Sequence, residues 1–209
     1  MSYVTTKMLD LDLKKMNKSC HKMYLFIKEN FTPDGKTDYS GQSTMTTQLY
    51  SQYNLMMYPQ PEFHELFLEV QKYFHELANP TEPHYAQFWL NFYTNGEFID
   101  WHHHWPMNYK AWHGFYCVNS ENPESKTTYR VPPANGILIK NPEKHEEVEI
   151  ISKNNLLVIS PSAGDQHRSW PWEGNGEPRI TIAFDIVPRS QFNKQSNPIT
   201  RQKNHWIPI

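Results

Sequence analysis

Phe98-Ile99-Asp100-Trp101-His102-His103-His104-Trp105-Pro106 runs from aromatic and β-branched side chains into three consecutive histidines. Such residues favour a β-strand. Side chains alternate along a strand, so His102 and His104 share one face and His103 takes the other. Two imidazoles two residues apart on one face can reach a single metal ion. Downstream, Gly164-Asp165-Gln166-His167 offers a third imidazole, and Pro178-Arg179-Ile180-Thr181-Ile182-Ala183-Phe184 opens a further strand on an arginine. The expected ligand set is His102, His104 and His167. Arg179 is placed to enter the same cavity and clamp a carboxylate with two parallel hydrogen bonds. His113 and His145 read as structural or exposed.

Around this stretch the chain divides in texture. Leu13, Met16, Cys20, Met23, Ile27 and Phe31 recur at helical steps behind Asp12, a candidate N-cap. Phe63, Leu66, Phe67, Val70, Phe74 and Leu77 form a second stripe, with Pro61 in its first turn and Asn79-Pro80 closing it. The Ser-, Thr- and Tyr-rich residues 37–58 between them read as extended segments or loops. After Pro83 strands are expected over 85–93, 98–104, 111–118, 127–131, 136–140, 148–151, 155–160 and 179–187. Turn signals such as Asn95-Gly96 separate them. Eight short strands at near-regular spacing point to a sandwich or barrel, and a double-sheet jelly roll needs eight. The expectation is an α+β protein: helical and extended support in 1–83, a jelly-roll core in 84–190, and a tail in 191–209. These form one compact domain, with Trp206 docking back on the core.

Bulk properties narrow the function. The 209 residues carry 20 basic and 22 acidic side chains, a net charge of -2, so no overall field favours nucleic acid or an anionic membrane. Apolar content is 38%, with 14% Trp, Tyr and Phe, which fits a core of few large rings. Cys20 and Cys117 form no spaced pattern and are expected as reduced thiols. No apolar run approaches a bilayer span, and Met1 to Lys7 has no apolar signal-peptide core. A soluble, cytoplasmic protein is expected. Neither oligomeric state nor a partner beyond an unidentified substrate is legible.

The order of these parts resembles the iron(II)- and 2-oxoglutarate-dependent oxygenases. The resemblance is carried by Asn91-Phe92-Tyr93-Thr94-Asn95-Gly96-Glu97-Phe98, the paired His102 and His104, and Trp112-His113-Gly114-Phe115-Tyr116-Cys117-Val118. Leu156-Leu157-Val158-Ile159-Ser160-Pro161-Ser162, His167 and Glu177-Pro178-Arg179-Ile180-Thr181-Ile182-Ala183-Phe184 complete it. It covers about residues 85–188 and is nearest to a bacterial and phage branch of hydroxylases with an H-x-H first motif. The resemblance implies a double-stranded β-helix, a form of jelly roll. It also implies an Fe(II) cofactor, 2-oxoglutarate and O₂ as cosubstrates, and a substrate that is hydroxylated as the oxoacid becomes succinate and CO₂. His102 and His167 match the first and last iron ligands. His104 stands where the commonest pattern has a carboxylate. Arg179 matches the anchor for the far carboxylate of 2-oxoglutarate, with Thr181 assisting and Tyr93 and Tyr116 as cosubstrate wall.

Three neutral imidazoles leave a divalent ion its full charge. Asp100 and Asp165, each two residues from a candidate ligand, offer a nearby carboxylate. Asp100 is expected to accept an imidazole N–H and orient the ring. Trp170 and Trp172 are expected as a lid or substrate wall. Two other readings use the same residues: a cupin-like three-His metalloenzyme without an oxoacid, and a non-enzymatic β-sandwich interaction protein.

Overall fold

The computed structural model describes residues 3–32, 44–104, 111–121, 124–131, 145–162, 165–174, 176–192 and 205–209. Strand β1 (Thr5–Met8) precedes helix α1 (Leu13–Asn30), a short α2 (Met45–Gln48), two 3-10 turns and helix α3 (Pro61–Ala78). Then come β2 (His84–Tyr93), β3 (Ile99–His102), β4 (Trp112–Asn119), β5 (Lys126–Val131) and β6 (Glu146–Ile151). β7 (Leu156–Pro161), β8 (Gln166–Ser169), β9 (Arg179–Pro188), α4 (Arg189–Phe192) and β10 (Ile207–Pro208) follow.

Both long helices start and bury as their sequences dictate. Asp12 accepts the Lys15 N–H at 3.1 Å, satisfying one of the unpaired donors of the first turn of α1. Met16, Cys20, Met23 and Ile27 form its buried stripe. In α3, Pro61 fills the first position, and Phe63, Leu66, Val70 and Phe74 face inward. Asn79 ends the helix at φ 41, a left-handed cap that asparagine tolerates. Residues 44–58 depart from the extended reading. Thr44 caps α2 by accepting the Thr47 N–H, and helical turns continue to Met57. Local side-chain caps outweigh the low helix propensity of this polar segment.

The strands form two antiparallel sheets. One has the order β1-β7-β4-β9-β2-β10 and the other β3-β8-β5-β6. Central strand β9 shows how the sequence sorts its two faces. Ile180, Ile182, Phe184 and Ile186 join the apolar cluster that includes α1 and α3. The alternate residues Arg179, Thr181, Ala183 and Asp185 line a cavity that also touches the second sheet. Every residue of β9 is buried, yet one face is apolar and the other is built for polar contents.

Close approach at β4 requires a glycine. A Cβ on Gly114 would stand 2.1 Å from the Val158 carbonyl oxygen and 2.6 Å from the Phe184 ring. Three strands escape the sequence reading: β1, β8 and β10 are too short to carry periodicity. The expected strand at 136–140 lies outside the described residues. Strand 98–104 is shorter than expected, because β3 ends at His102 after an irregularity in its pairing with β8. Cys20 and Cys117 are buried free thiols. Trp206, 8% exposed, packs with Ala111 and Val187. Among the described residues no helix is long and apolar enough to cross a membrane.

Candidate active site

A cavity of about 310 Å³ between the sheets brings together His102, His104, His167, Arg179, Thr181 and Tyr93. His102 on β3 and His167 on β8 are direct cross-strand partners, with ring centroids 4.2 Å apart. His104 lies beyond the end of β3 and still turns inward, 5.1 Å from His167 and 5.3 Å from His102. One ring nitrogen from each of the three lies within 4.8 Å of the others. His103, beyond the strand end, is exposed at the rim of the same cavity. The strict alternation expected of it stops where the strand stops.

Hydrogen bonds fix the tautomers of two rings. His102 Nδ1–H donates to the Asp100 carbonyl oxygen at 2.8 Å, and His104 Nδ1–H donates to Asp185 Oδ1 at 2.6 Å. In its neutral form each therefore presents Nε2 as its lone-pair nitrogen. Burial, with the neighbouring His104, pushes the His102 pKa down to about 3. Burial and the surrounding imidazoles push His167 well down too. Both rings are neutral at pH 7, the state a metal ligand requires. At His104 burial opposes protonation, but the Asp185 carboxylate outweighs it and raises the pKa.

The carboxylate expected to orient a ring is a different one. The Asp100 side chain is exposed and accepts the Trp101 N–H at 2.7 Å. It is the main-chain carbonyl of Asp100 that serves His102. Asp165 takes the His113 Nε2–H at 2.7 Å, and Ser160 Oγ lies 3.0 Å from the same nitrogen; Asp165, His113 and His167 each bring a ligand atom within 4.8 Å of the others, a second cluster that shares His167. His113, 1% exposed, stacks on His104 at 4.7 Å and 12°. His145 does not line the cavity.

At the far end of β9, Arg179 is 1% exposed. Its Nη2 donates weakly to Thr127 Oγ1 (3.3 Å) and Ser152 Oγ (3.4 Å). Nε and Nη1 are buried without a partner, and no carboxylate among the described residues pairs with it. A buried guanidinium with idle donors is costly unless an anion completes it. The guanidinium lies 4.9 Å from the Tyr93 ring, its cross-strand neighbour. Burial, opposed by Arg179, raises the Tyr93 pKa and keeps the phenol protonated. Thr181 accepts from Asn91 Nδ2 at 3.3 Å, and Thr47 of α2 donates to Asn91 Oδ1 at 2.6 Å. The N-terminal segment thus closes one side of the cavity.

Tyr116, Trp170 and Trp172 lie elsewhere. Tyr116 does not line the cavity that His113 and Phe115 of the same strand line, and its hydroxyl donates to Asn155 Oδ1. Trp170 donates to Thr128 Oγ1 and lies under Lys126 and Arg168. Since His167 and Ser169 point into the cavity, Arg168 and Trp170 point away from it. Trp172 is 1% exposed and donates to the Glu177 carbonyl at 2.7 Å, the role of a packed anchor and not of a lid.

Asp185, Asn91 and Thr127 line the cavity and escape the sequence reading, and Trp89 lines it too. Period two from Arg179 reaches Asp185, so that signal was present. Nothing in the sequence singles out one acidic residue of a strand without its neighbours across the sheet.

No protein-family model and no curated protein matches this sequence. Solved structures do. AviO1 from Streptomyces viridochromogenes is 13% identical at a TM-score of 0.62, over 90% of this chain and 90% of that one. A Pseudomonas putida prolyl-4-hydroxylase is 13% identical at 0.54, over 90% and 93%. The epimerase SnoN from nogalamycin biosynthesis, solved with Fe3+, alpha ketoglutarate and nogalamycin RO, is 11% identical at 0.56, over 89% and 79%. At these identities the likeness is one of fold.

Proposed function

We propose that this chain is an iron(II)- and 2-oxoglutarate-dependent dioxygenase on a jelly-roll core, most simply a hydroxylase, acting on an unidentified substrate. The observation that carries the reading is Arg179: a buried guanidinium with two idle donors, in the same cavity as three converging imidazoles. A metal site alone has no use for it. An oxoacid bound to a metal at one end and an arginine at the other has. The solved structures of similar fold, one holding iron and alpha ketoglutarate, support the same reading. A cavity of about 310 Å³ is at the small end of the range for small-molecule sites.

The residues present fit that content. His102, His104 and His167 would hold the metal, all nitrogen donors suited to divalent iron. Iron, with 2-oxoglutarate and O₂ bound, would supply the oxidising chemistry: O₂ is the oxidant, one oxygen atom going to the succinate formed with CO₂ and the other to the substrate. The chain's part is positioning. Arg179 offers Nε and Nη1 to a carboxylate, and Thr181 and the protonated Tyr93 stand beside it as hydroxyl donors. Trp89, stacked on His104 at 5.9 Å, helps shield the ring from water.

Anaerobic titration of 2-oxoglutarate into iron(II)-loaded protein should raise the visible charge-transfer band of an oxoacid chelate, and air should then yield succinate. Iron-loaded protein that binds no oxoacid and makes no succinate would sink the proposal. It would leave a three-imidazole metalloenzyme of the cupin type.

A further inference from the structure

A divalent ion held by three neutral imidazoles keeps its full charge, and the low-dielectric cavity makes that charge expensive unless a carboxylate lies close by. Two buried carboxylates lie near the rings. Asp165 engages His113 through Oδ2, and its buried Oδ1 makes no hydrogen bond to any of the three rings. Asp185, 4% exposed on β9, is closed onto His104, with Oδ1 2.6 Å from Nδ1. A contact of that length to a carboxylate is charge-assisted and about twice as strong as a neutral one. The ring it holds has no freedom to turn. Trp89 stacks on His104 at 5.9 Å and 16°, and His113 at 4.7 Å and 12°.

The other two rings lack such support. His102 donates to a main-chain carbonyl, and His167 Nδ1 is buried without a hydrogen-bond partner. His104 alone of the three is backed by a carboxylate, and it is the one occupying the position between the outer ligands.

We infer that Asp185 is the positioning residue of the metal site: it locks His104 with Nε2 toward the ion and supplies, through that imidazole, the negative charge that a histidine at this position does not bring. The inference rests on the metal reading proposed above. A carboxylate hydrogen-bonded to the far nitrogen makes an imidazole a more basic ligand, and loss of such partners costs metal affinity about 10- to 100-fold. Asp185 thus does from β9 what no residue of the histidine run itself does.

Cobalt(II) is the probe, titrated anaerobically into the wild type, Asp185→Asn, His104→Ala and the double variant. Asn keeps the shape and an acceptor oxygen but removes the charge, so Asp185→Asn should bind cobalt about 10- to 100-fold more weakly. That loss should vanish in the His104→Ala background, because Asp185 acts through the ring. Asp100→Asn, whose side chain is not the acceptor, should bind as the wild type does. Unaltered binding by Asp185→Asn overturns the inference. So does an equal loss with and without His104, which would make Asp185 a ligand in its own right.

A measurement on the wild type covers a variant that fails to fold. In the zinc-loaded protein, the His104 Nδ1 proton should give a far-downfield NMR resonance with zinc on Nε2, and zinc found on Nδ1 overturns the inference. A wild type that binds neither cobalt nor zinc overturns the metal reading along with it, whereas binding with an indifferent Asp185 overturns the inference alone.

Discussion

Arg179 and the histidine run respond to single substitutions in opposite ways, which separates the two halves of the site. Arg179→Ala should leave iron in place and damage oxoacid binding. Losing one partner of a buried charge pair costs about 2–5 kcal/mol, a roughly 30- to 4,000-fold loss in affinity. Arg179→Lys should recover part of it, since an ammonium cannot reproduce the planar fork. Titration of 2-oxoglutarate into the iron-loaded variants decides, and an unchanged dissociation constant for Arg179→Ala refutes the anchor. Conversely, Ala at His102, His104 or His167 should each abolish stoichiometric iron binding, measured by metal analysis after anaerobic loading at micromolar metal, and leave a weaker two-imidazole site that only titration to higher metal concentration fills. His103→Ala should keep one iron per chain, because His103 is exposed at the rim and outside the set of converging nitrogens. Loss of iron in His103→Ala would mean the ligands are misassigned.

Among the elements, β4 and β9 carry the tightest constraint. Gly114 sits opposite Phe184 of β9 and beside Val158 of β7 in the same antiparallel sheet, and a methyl there meets both a backbone oxygen and a ring. The carbonyl belongs to the paired strand β7 and cannot move away alone. Gly114→Ala is expected to destabilise by about 1–3 kcal/mol, the usual range for overpacking, as seen in denaturant midpoints at unchanged m-value. A midpoint equal to the wild type would show that the sheet gives way easily here. The same strands explain the division of labour: apolar side chains of β9 pack toward α1 and α3, and its polar ones furnish the cavity.

For the molecule as a whole, the buried imidazoles tie stability to pH. His102 is held down to about 3 and His167 well below its ordinary value, while an unfolded histidine takes up its proton near 6.5. Below about 6.5 the unfolded chain binds more protons than these two folded groups, so their stabilisation is full above that pH and is lost as pH falls. His104, raised by Asp185, contributes in the opposite sense, its stabilisation being present below about 6.5 and lost as pH rises through its folded value. Two groups against one give the expected direction. The thermal midpoint of metal-free protein should fall between about pH 7 and pH 5, above most of the carboxylate range. A midpoint that rises over that window would contradict it. Added divalent metal should raise the midpoint near neutral pH by mass action.

The sequence by itself determined the two long helices, most of the long strands and the likeness in motif order, because these rest on local periods. Helix stripes at three and four residues and strand alternation at two are written in neighbouring side chains, so α1, α3, β2, β4 and β9 were legible, as was the pairing of His102 with His104. Tertiary structure decided what depends on contacts across the sheet. Only the register of β3 on β8 puts His102 opposite His167. Only the pairing of β4 with β9 sets His113 against Asp185, and so brings the carboxylate that serves His104 from 81 residues away. Asp100, the nearest acidic side chain in sequence, turns to solvent, because adjacency along a chain says little about which atom a buried ring nitrogen meets. Tyr116 and Trp172 were aromatic residues beside the right motifs whose hydroxyl and indole N–H find partners outside the cavity. Buried donors must be satisfied wherever the fold places an acceptor, and that place is fixed by packing of the whole chain.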